Sequence, residues 1–369
     1  MKDVKIVFDV DDTICSNIRK LGYENCVPDL EVINKINHLH DDLGFEIVFH
    51  TSRGMVSCNG DIDKIIEKNK RTLEKWLEKH NVHYDEIIFG KPIADLYVDD
   101  KALGIDEFKK EQFEILKGGG SGKSIYRTGK IVKKFIGSDS DTSNFKDWVE
   151  DNEGSCKFPK VISYLYNAVY MEYIHGKNLS ECDLLFEDLL ELIKVIVKFS
   201  RMKKSKFDIY ILLSILQRNY SNDKEFNGLI YLCKDALMAN KDILVENASY
   251  CHGDMILSNI IKDYCGNLFF IDSRYFRTCS SYLFDFAKLR MSMCGYEYEF
   301  GIGNVDNSQH VEFLDSVLKS KGIYDIVIIL QLMYVIRLYR YKDAKGKVKV
   351  KEITKRLVNE HEELFDRYK

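Results

Sequence analysis

The first hundred residues alternate between short apolar runs and longer amphipathic runs, and this alternation constrains the fold most. Runs typical of buried strands alternate with helical patterns, in the order strand 4–8, helix 29–42, strand 45–50, helix 63–80, strand 86–90 and strand 96–98. Strands that alternate with helices form parallel sheets, and ligands bind at the carboxyl ends of those strands. We therefore predict an α/β domain with a ligand site at one edge of its sheet.

Polar side chains follow each predicted strand. They are Asp9 and Asp11 after the first, Thr51 after the second, Lys91 after the third, and Asp99 and Asp100 after the fourth. A carboxylate can attack phosphorus, and a second acid can protonate the leaving oxygen and then activate water. The sequence thus predicts phosphoryl transfer at this edge.

Each of these residue types suits one part of such a site. Asp9 is the predicted nucleophile and Asp11 the predicted acid and base, while Thr51 and Lys91 would hold the phosphoryl oxygens. Hard oxygen ligands suit Mg²⁺, so we expect Asp9 and Asp11 to form a magnesium site with Asp99 or Asp100.

Four motifs, "DVDDT", "HTSR", "GKP" and "VDD", resemble in order those of the haloacid dehalogenase superfamily. The segments "TSRGM" and "GKPIADLYVDDKA" are most similar to its small phosphatases of capsule and lipopolysaccharide synthesis. The resemblance covers about 1–110 and implies a Rossmann-like, Mg²⁺-dependent phosphatase. The spacing between the motifs leaves no room for a separate cap domain.

The segment "KGGGSGKSIYRTGKIVKKF", residues 117–135, admits three interpretations. A P-loop fails because Lys117 stands where its first glycine is required. A flexible linker and the glycine-rich loop that covers ATP in a kinase both remain open. We predict a first domain over 1–112, a linker over 113–122 and a second domain over 123–369.

The residues after the glycines predict a hairpin. Two strand-like runs, 124–127 and 131–136, flank a turn at Thr128 and Gly129. The second run carries Lys133 and Lys134, which point to opposite faces, so only one of them can reach ATP phosphates. We favour Lys133.

Two motifs far downstream predict the catalytic loop of a kinase. The segment "CHGDMILSN" at 251–259 fits H-x-D-x-x-x-x-N, and "FFIDSR" at 269–274 follows it. In that pattern Asp254 takes the proton of the acceptor hydroxyl, while Asn259 and Asp272 hold Mg²⁺. His252 completes the set and is assigned to the cofactor site.

These motifs resemble the aminoglycoside phosphotransferase and choline kinase superfamily over about 118–369. The resemblance implies a bilobal, protein-kinase-like α+β domain that uses ATP. The segment "VYMEYIHGKNL" at 169–179 is similar to the hinge that receives adenine, with backbone groups of Glu172 to Ile174 as partners. Asp285 is similar to the structural aspartate of the family.

Two features of the kinase prediction stay open. The helix glutamate that pairs with the strand lysine is not obvious, since only Glu150 and Glu153 stand near the end of the predicted helix. The segment "CGYEYEF" at 294–300 mixes tyrosines and acids, which suits either an ammonium group or an ordinary helix surface.

Composition excludes several classes of function. The 54 basic and 58 acidic residues nearly cancel, and long runs of one sign are missing from the sequence, which argues against nucleic-acid binding. Ten cysteines spread from Cys15 to Cys294 without zinc-ligand spacing favour free thiols in a reducing compartment. The apolar run at 326–336 is too short to span a membrane. We predict a cytoplasmic protein.

Together these patterns predict a bifunctional enzyme, a phosphatase followed by a kinase for a sugar, polyol or amino alcohol, in surface polysaccharide precursor synthesis. The alternative is a regulatory or binding protein in which one site is inactive. The oligomeric state and both substrates stay open.

Overall fold

The computed structural model describes residues 4–16, 18–97, 99, 101–116, 125–136, 139–152, 154–165, 168–202, 207–273, 279–295 and 307–368. The chain is a mixed α/β protein with two compact units. The first unit comprises Met1–Ile136 and Val161–Tyr173, and the second comprises Gly137–Lys160 and Ile174–Lys369.

The first part of the first unit alternates strands and helices. In chain order its elements are β1 (Lys5–Phe8), β2 (Cys15–Ser16), α1 (Ile18–Leu21), β3 (Val27–Pro28), α2 (Leu30–Asp41), β4 (Glu46–Thr51), α3 (Ile62–Lys79), β5 (Glu86–Phe89) and α4 (Ile105–Lys110). The strands β1, β4 and β5 form a parallel sheet in that order, and β2 pairs with β3. The predicted parallel arrangement of the first three strands is confirmed.

The two long helices that accompany this sheet, α2 and α3, each begin at a capping aspartate. The Asp29 carboxylate accepts from the Val32 N–H at the start of α2, and Asp61 accepts from Lys64 N–H at the start of α3. Helix α3 buries one apolar face, on which Trp76 is 1% exposed. The caps set where both helices begin, and the buried face of α3 packs in the core of this unit.

The fourth predicted strand, 96–98, is wrong where the structure describes it. Leu96 and Tyr97 lie outside any strand and are exposed, and Val98 lies outside the described residues. The Tyr97 ring instead lies 4.5 Å from Lys91 Nζ. The apolar pattern of three residues is too short to distinguish a strand from a loop that packs on a neighbouring cation.

A second sheet completes the first unit. Its strands are β6 (Phe113–Leu116), β7 (Ile125–Thr128), β8 (Ile131–Phe135), β9 (Val161–Leu165) and β10 (Ala168–Glu172). They are antiparallel in the order β6-β7-β8-β10-β9, so the predicted hairpin of β7 and β8 is confirmed.

Residues 113–116 form a strand where the sequence predicts a linker. Leu116 pairs with Ile125, so the glycine-rich segment connects two neighbouring antiparallel strands. The first core is the hydrophobic cluster around the parallel sheet, which includes Phe49, Trp76 and Phe108. The Phe113 ring packs 5.4 Å from Phe108, and this contact holds the segment against that core. Residues 117–124 themselves lie outside the described residues, and the domain boundaries stay a prediction.

The second unit is mainly helical. In chain order its elements are α5 (Asp139–Asp151), β11 (Gly176–Asn178), α6 (Phe186–Arg201), α7 (Ile209–Gln217), α8 (Lys224–Ala239), α9 (Lys241–Glu246), β12 (Ile260–Asp263), β13 (Leu268–Phe270), α10 (Tyr282–Met293), α11 (Ser308–Ser320), α12 (Tyr324–Leu338), α13 (Ala344–Glu360) and α14 (Glu362–Phe365). Strand β12 lies between β11 and β13, and both pairs are antiparallel.

Two helices form the centre of the second core. Helix α10 is buried from Leu283 to Met293, and α12 is buried from Ile326 to Ile336. The apolar run at 326–336 is therefore a core helix. None of the helices in the described part of the chain has both the length and the apolar character needed to span a lipid bilayer.

Candidate active sites

Asp9 and Lys91 form an ion pair at the carboxyl edge of the parallel sheet. Asp9 follows β1 and Lys91 follows β5, and Lys91 Nζ lies 3.2 Å from Asp9 Oδ2. The Lys91 N–H also donates to the Thr51 carbonyl oxygen at 3.1 Å, which joins this loop to β4. Gly90 has a φ of +99°, and a Cβ there would lie 2.7 Å from Ile62 Cδ1, so the turn requires glycine.

The second oxygen of Asp9 is suited to a cation. Asp9 Oδ1 is buried and accepts no hydrogen bond from any described residue. Burial of a carboxylate oxygen without a partner is costly, and a bound cation would offset this cost. Mg²⁺ therefore fits the environment of Asp9.

Asp11 is held by a buried arginine. Asp11 Oδ1 accepts a hydrogen bond from Arg53 Nε at 2.7 Å, and Arg53 Nη2 lies 2.6 Å from the same oxygen in an ion pair. The Arg53 side chain is 1% exposed, and its guanidinium carbon lies 4.6 Å from the centre of the Tyr23 ring. The position of the predicted acid is thus fixed by charge-assisted hydrogen bonds.

Two opposing influences act on the pKa of Asp11. Burial raises this pKa, and the charge and hydrogen bonds of Arg53 lower it, with a net shift upward. A raised carboxyl pKa keeps a proton available at higher pH, which suits a general acid. Thr51, the predicted phosphoryl ligand, is fully buried, and its Oγ1 accepts from the Arg53 N–H at 3.1 Å.

The magnesium ligands predicted after the fourth strand are only partly described. Asp99 is exposed and its Oδ1 accepts from the Lys101 N–H at 2.7 Å, while Asp100 lies outside the described residues. Among described residues, the side-chain ligand atoms of Asp9, Asp11 and Asp99 do not gather within 4.8 Å of one another. The predicted ligand set stays a prediction.

In the second unit, Asp285 holds the loop that carries Asp254. Its two carboxylate oxygens accept from the backbone N–H groups of His252 and Gly253, each at 2.8 Å. Asp285 is fully buried in α10, so the loop is fixed to a core helix. Burial raises the pKa of Asp285 to about 7, although the two backbone donors act in the opposite direction.

Asp254 faces a buried lysine. Lys288 Nζ lies 3.0 Å from Asp254 Oδ1, and each side chain is 8% exposed. Lys288 Nζ also lies 4.4 Å from the centre of the Tyr334 ring on α12. The predicted base therefore lies in an environment that compensates its charge.

The predicted metal ligands of the kinase motif follow the same loop. The Asn259 side-chain amide donates to the Asp254 carbonyl oxygen at 2.9 Å, which leaves its own carbonyl oxygen as an acceptor for a cation. The Ile271 N–H donates to the Asn259 carbonyl oxygen at 2.9 Å. Asp272 has a φ of +61°, a strained conformation for a residue other than glycine, and such strain is typical of functional positions.

His252 lies among aromatic side chains. Its ring is fully buried and lies 5.9 Å from Trp148, 6.4 Å from Phe158 and 6.1 Å from Phe270 between ring centres. Trp148 Nε1 donates to the Cys251 carbonyl oxygen at 2.9 Å, directly before this loop. The cofactor role predicted for His252 stays a prediction, and its surroundings suit support of the loop.

Lys133 and Lys134 lie on opposite faces of the second sheet. Lys133 pairs with Tyr126 on β7 and Tyr170 on β10, and Tyr126 is part of the first core, where it packs on Phe45. Lys134 pairs with Ile125 and Val169. Lys133 therefore shares its face with Tyr126, which packs in the first core, whereas Lys134 lies on the opposite face of the sheet.

The predicted hinge is anchored at its middle residue. The Tyr173 N–H donates to the Lys130 carbonyl oxygen at 2.7 Å, and the Arg127 guanidinium carbon lies 3.8 Å from the centre of the Tyr173 ring. Glu172 ends β10 and Ile174 follows Tyr173. The adenine contacts predicted for Glu172 and Ile174 stay predictions.

Other predicted features fall outside the described residues. These include Glu153, Arg274 and residues 296–300 of the tyrosine-rich segment. Glu150 lies on α5, 3.8 Å from Lys146, on an exposed surface.

Sequence reasoning missed two residues at these sites. Arg53 stands in "TSR" without an assigned role, and Lys288 stands in "FDFAKL", three residues after Asp285. A lysine inside an otherwise apolar helix was the available signal for Lys288, because such a residue is rarely buried unless it is paired.

Comparison with protein-family models finds no match, and comparison with curated proteins finds none either. Among solved structures, a choline/ethanolamine kinase family protein from Mesorhizobium loti is 13% identical, with a TM-score of 0.48; the match covers 69% of this chain and 90% of that one. Choline kinase LicA from Streptococcus pneumoniae is 15% identical, with a TM-score of 0.44; the match covers 68% of this chain and 93% of that one.

A third solved structure, of a target protein from Vibrio cholerae whose name states no activity, is 37% identical. Its match covers 30% of this chain and 89% of that one, with a TM-score of 0.28. The C-terminal region of the chain is thus similar, at low identity, to choline kinase and aminoglycoside phosphotransferase structures. All three TM-scores lie below 0.5.

Proposed function

We propose that the chain is a bifunctional enzyme, with an Mg²⁺-dependent phosphomonoester phosphatase in residues 1–112 and an ATP-dependent small-molecule kinase in residues 123–369. The observation that carries the kinase half is the Asp285 carboxylate, which binds the N–H groups of His252 and Gly253 and so fixes the loop of Asp254. The phosphatase half is supported by the pairing of Asp9 with Lys91 and of Asp11 with Arg53.

In the phosphatase half, Asp9 attacks the phosphorus of the substrate and forms an aspartyl phosphate. Asp11 donates a proton to the leaving alkoxide and later takes one from the water that hydrolyses the aspartyl phosphate. Lys91 and Thr51 contact the phosphoryl oxygens. Asp9 and Asp11, with Asp99 or Asp100, are the residues that would hold Mg²⁺, and the ion would supply positive charge that lowers the repulsion between nucleophile and phosphate.

In the kinase half, Asp254 accepts the proton of the acceptor hydroxyl as that oxygen attacks the terminal phosphate of ATP. Lys288 holds the carboxylate of Asp254 in place through the contact at 3.0 Å. Asn259 and Asp272 are the residues that would hold Mg²⁺, which neutralises the phosphate oxygens of the nucleotide.

The strand order of the second sheet supports a nucleotide role for Lys134. A glycine-rich segment joins β6 to β7, and the lysine pair follows on β8, which is the order of a kinase N-lobe in which the lysine contacts ATP phosphates. Lys133 lies on the face that carries Tyr126 and covers the first core. We therefore assign the phosphate contact to Lys134, in place of the favoured Lys133.

Adenine recognition is assigned to the backbone around Tyr173. Because the Tyr173 N–H already donates to Lys130, the adenine contacts fall to the Glu172 carbonyl oxygen and the Ile174 N–H. His252 supports the catalytic loop.

The acceptor is proposed to be a sugar, a polyol or an amino alcohol such as choline or ethanolamine. A kinase and a phosphatase in one chain can move a phosphate, if the kinase adds one at a new hydroxyl and the phosphatase removes the old one. The place of this reaction in cytoplasmic synthesis of surface polysaccharide precursors rests on the resemblance of the phosphatase motifs. All ten cysteines are free thiols, which is compatible with a reducing compartment.

A substrate screen tests the proposal. The full chain is incubated with ATP, Mg²⁺ and a panel of sugars, polyols, amino alcohols and their monophosphates, and both ADP and inorganic phosphate are measured. We expect acceptor-dependent ADP release, and release of inorganic phosphate from a phosphomonoester without ATP. If no compound raises either rate above the background, the proposal is contradicted.

A further inference from the structure

Two histidines and an aspartate form a cluster in the first unit, away from the ion pair of Asp9 and Lys91. One ligand atom from each of His40, Asp41 and His83 lies within 4.8 Å of the other two, and this is the one such group of three found among the described residues. His40 and Asp41 stand in the last turn of α2, and His83 stands in the loop between α3 and β5.

The Asp41 carboxylate lies between the two imidazoles. Its Oδ1 is 2.7 Å from His40 Nδ1, and its Oδ2 is 2.6 Å from His83 Nδ1. The two rings have centres 6.0 Å apart and are tilted by 70°, so their Nδ1 atoms approach one carboxylate from two sides. The hydrogen bonds from the two histidines also lower the pKa of Asp41.

The loop that carries His83 is fixed to α2 by Asn37. Asn37 Oδ1 accepts from the His83 N–H at 2.9 Å, and Asn37 Nδ2 donates to the Asn81 carbonyl oxygen at 2.7 Å. Both histidines therefore start from backbone positions that are already set. Such preorganisation lowers the cost of binding a ligand.

A second carboxylate lies behind His40. Asp85 Oδ2 is 3.6 Å from His40 Nε2, and the same oxygen accepts from the Ile47 N–H at 2.9 Å, which holds it at the start of β4. Histidines that bind metals commonly direct their other nitrogen to a carboxylate, which orients the ring. Asp85 occupies that position relative to His40.

We propose that His40, Asp41 and His83 bind a divalent transition-metal ion, with Zn²⁺ as the best match. Two imidazoles and one carboxylate suit Zn²⁺, Co²⁺ or Ni²⁺ better than Mg²⁺ or Ca²⁺, which prefer all-oxygen sites. Each neutral imidazole binds the ion through Nδ1 and carries its one proton on Nε2, and water completes the coordination. Tetrahedral bonds of about 2.0–2.1 Å place two nitrogens about 3.3 Å apart, so ligand atoms that lie within 4.8 Å of one another need to approach by no more than about 1.5 Å.

The site lies at the opposite edge of the sheet from Asp9. His83 and Asp85 precede β5, whereas Lys91 follows it, and Asp85 binds Ile47 at the amino end of β4, whereas Thr51 ends that strand. The ion therefore joins α2 to the loop before β5 and stabilises the fold, without contact to the phosphoryl site.

Metal titration of the full chain tests this site. Zn²⁺ or Co²⁺ is titrated by calorimetry into chelator-treated protein in excess Mg²⁺, which occupies oxygen-rich sites. We expect one binding event that is at least tenfold weaker in His40→Ala and in His83→Asn. Zn²⁺ should raise the Tm of the wild type by several degrees and have little effect on the Tm of either variant. Asp85→Asn should weaken binding about tenfold or more.

His38→Ala is the matched control, because His38 lies on the same helix and its Nδ1 contacts Asp42 at 2.6 Å, outside the cluster. This variant should bind as the wild type does, which separates the site from the thiols and other histidines of the chain. Circular dichroism without metal verifies that each variant is folded. Equal Zn²⁺ affinity in the wild type, His40→Ala and His83→Asn, or no saturable binding up to about millimolar metal, overturns the proposal.

Discussion

Lys288 Nζ lies 3.0 Å from Asp254 Oδ1, and both side chains are almost fully removed from solvent. A buried ion pair stabilises a protein only weakly, because the desolvation of both charges offsets their attraction. What the pair provides is a fixed position for the Asp254 carboxylate. Lys288 is therefore a positioning residue for the proposed kinase reaction.

Replacement of Lys288 by methionine should lower kcat of the kinase reaction by at least about tenfold. General-base catalysis raises a rate roughly 10²–10⁴-fold, and this gain depends on the alignment of the base with the acceptor hydroxyl. The KM for ATP should change by less than about threefold, because Lys288 contacts the base and not the nucleotide in the proposed site. Steady-state kinetics with the best acceptor checks this split.

Lys262→Met is the control for Lys288→Met. Lys262 Nζ lies 2.8 Å from the buried Asp188 Oδ2, so its replacement also breaks a buried pair in the second unit. It should lower stability while leaving kcat of the folded enzyme near that of the wild type. An equal loss of kcat in both variants would mean that Lys288 acts only through stability.

The raised pKa of Asp285 predicts a pH dependence of stability. A carboxyl whose pKa rises from 3.8 to about 7 on folding binds its proton more tightly in the folded state. The protonated Asp285 carboxyl therefore adds to the free energy of unfolding at low pH, and this stabilisation is lost as pH rises from about 4 to about 7. The full change is on the order of 4 kcal/mol.

Urea unfolding of the wild type and of Asp285→Asn between pH 5 and 8 measures this contribution. A Trp76→Phe background leaves Trp148, in the second unit, as the fluorescence probe, since the chain has two tryptophans. The difference in unfolding free energy between the two proteins should shrink as pH rises. Parallel curves over this range would contradict the assigned shift.

Lys134→Ala should raise the KM for ATP by at least about tenfold, whereas Lys133→Ala should change it by less than threefold. The reason is that Lys134 lies on the sheet face opposite Tyr126, and Lys133 lies on the face that covers the first core. Kinase assays over a range of ATP concentrations distinguish the two. A larger effect of Lys133→Ala would reverse the assignment.

Arg53 should set the alkaline limit of phosphatase activity. Asp11 must be protonated to act as an acid, and Arg53 lowers the pKa of Asp11. Loss of the positive charge in Arg53→Gln should therefore raise this pKa and move the alkaline limb of the kcat/KM profile to higher pH. Arg53→Lys keeps the charge, so it should shift the limb less; an unshifted limb in Arg53→Gln would argue against Asp11 as the acid.

The sequence predicts the elements of the first unit because their patterns are long and regular. The helix patterns at 29–42 and 63–80 match α2 and α3 within two residues at each end, and both start at a capping aspartate. The segment 96–98 fails because three apolar residues carry too little periodicity. The strand Phe113–Leu116 is missed because its partner lies beyond a glycine-rich segment with the composition of a linker.

At the candidate sites, the sequence predicts which loops carry chemistry but not which side chains meet. The motif order indicates Asp9, Asp11 and Asp254, whereas the partners Arg53 and Lys288 depend on tertiary packing. The left-handed conformation of Asp272 is also set by its surroundings, since nothing in the residue type requires it.

The most direct test of the bifunctional proposal compares Asp9→Asn, Asp254→Ala and the wild type in both assays on the same full-length preparations. The account predicts that Asp9→Asn loses Mg²⁺-dependent phosphomonoester hydrolysis by at least about a hundredfold and keeps ATP-dependent phosphorylation. Asp254→Ala should lose phosphoryl transfer to the acceptor, retain ATP binding and keep the hydrolase activity. If Asp9→Asn hydrolyses the ester at the wild-type rate, or Asp254→Ala phosphorylates the acceptor at the wild-type rate, the corresponding half of the account is contradicted.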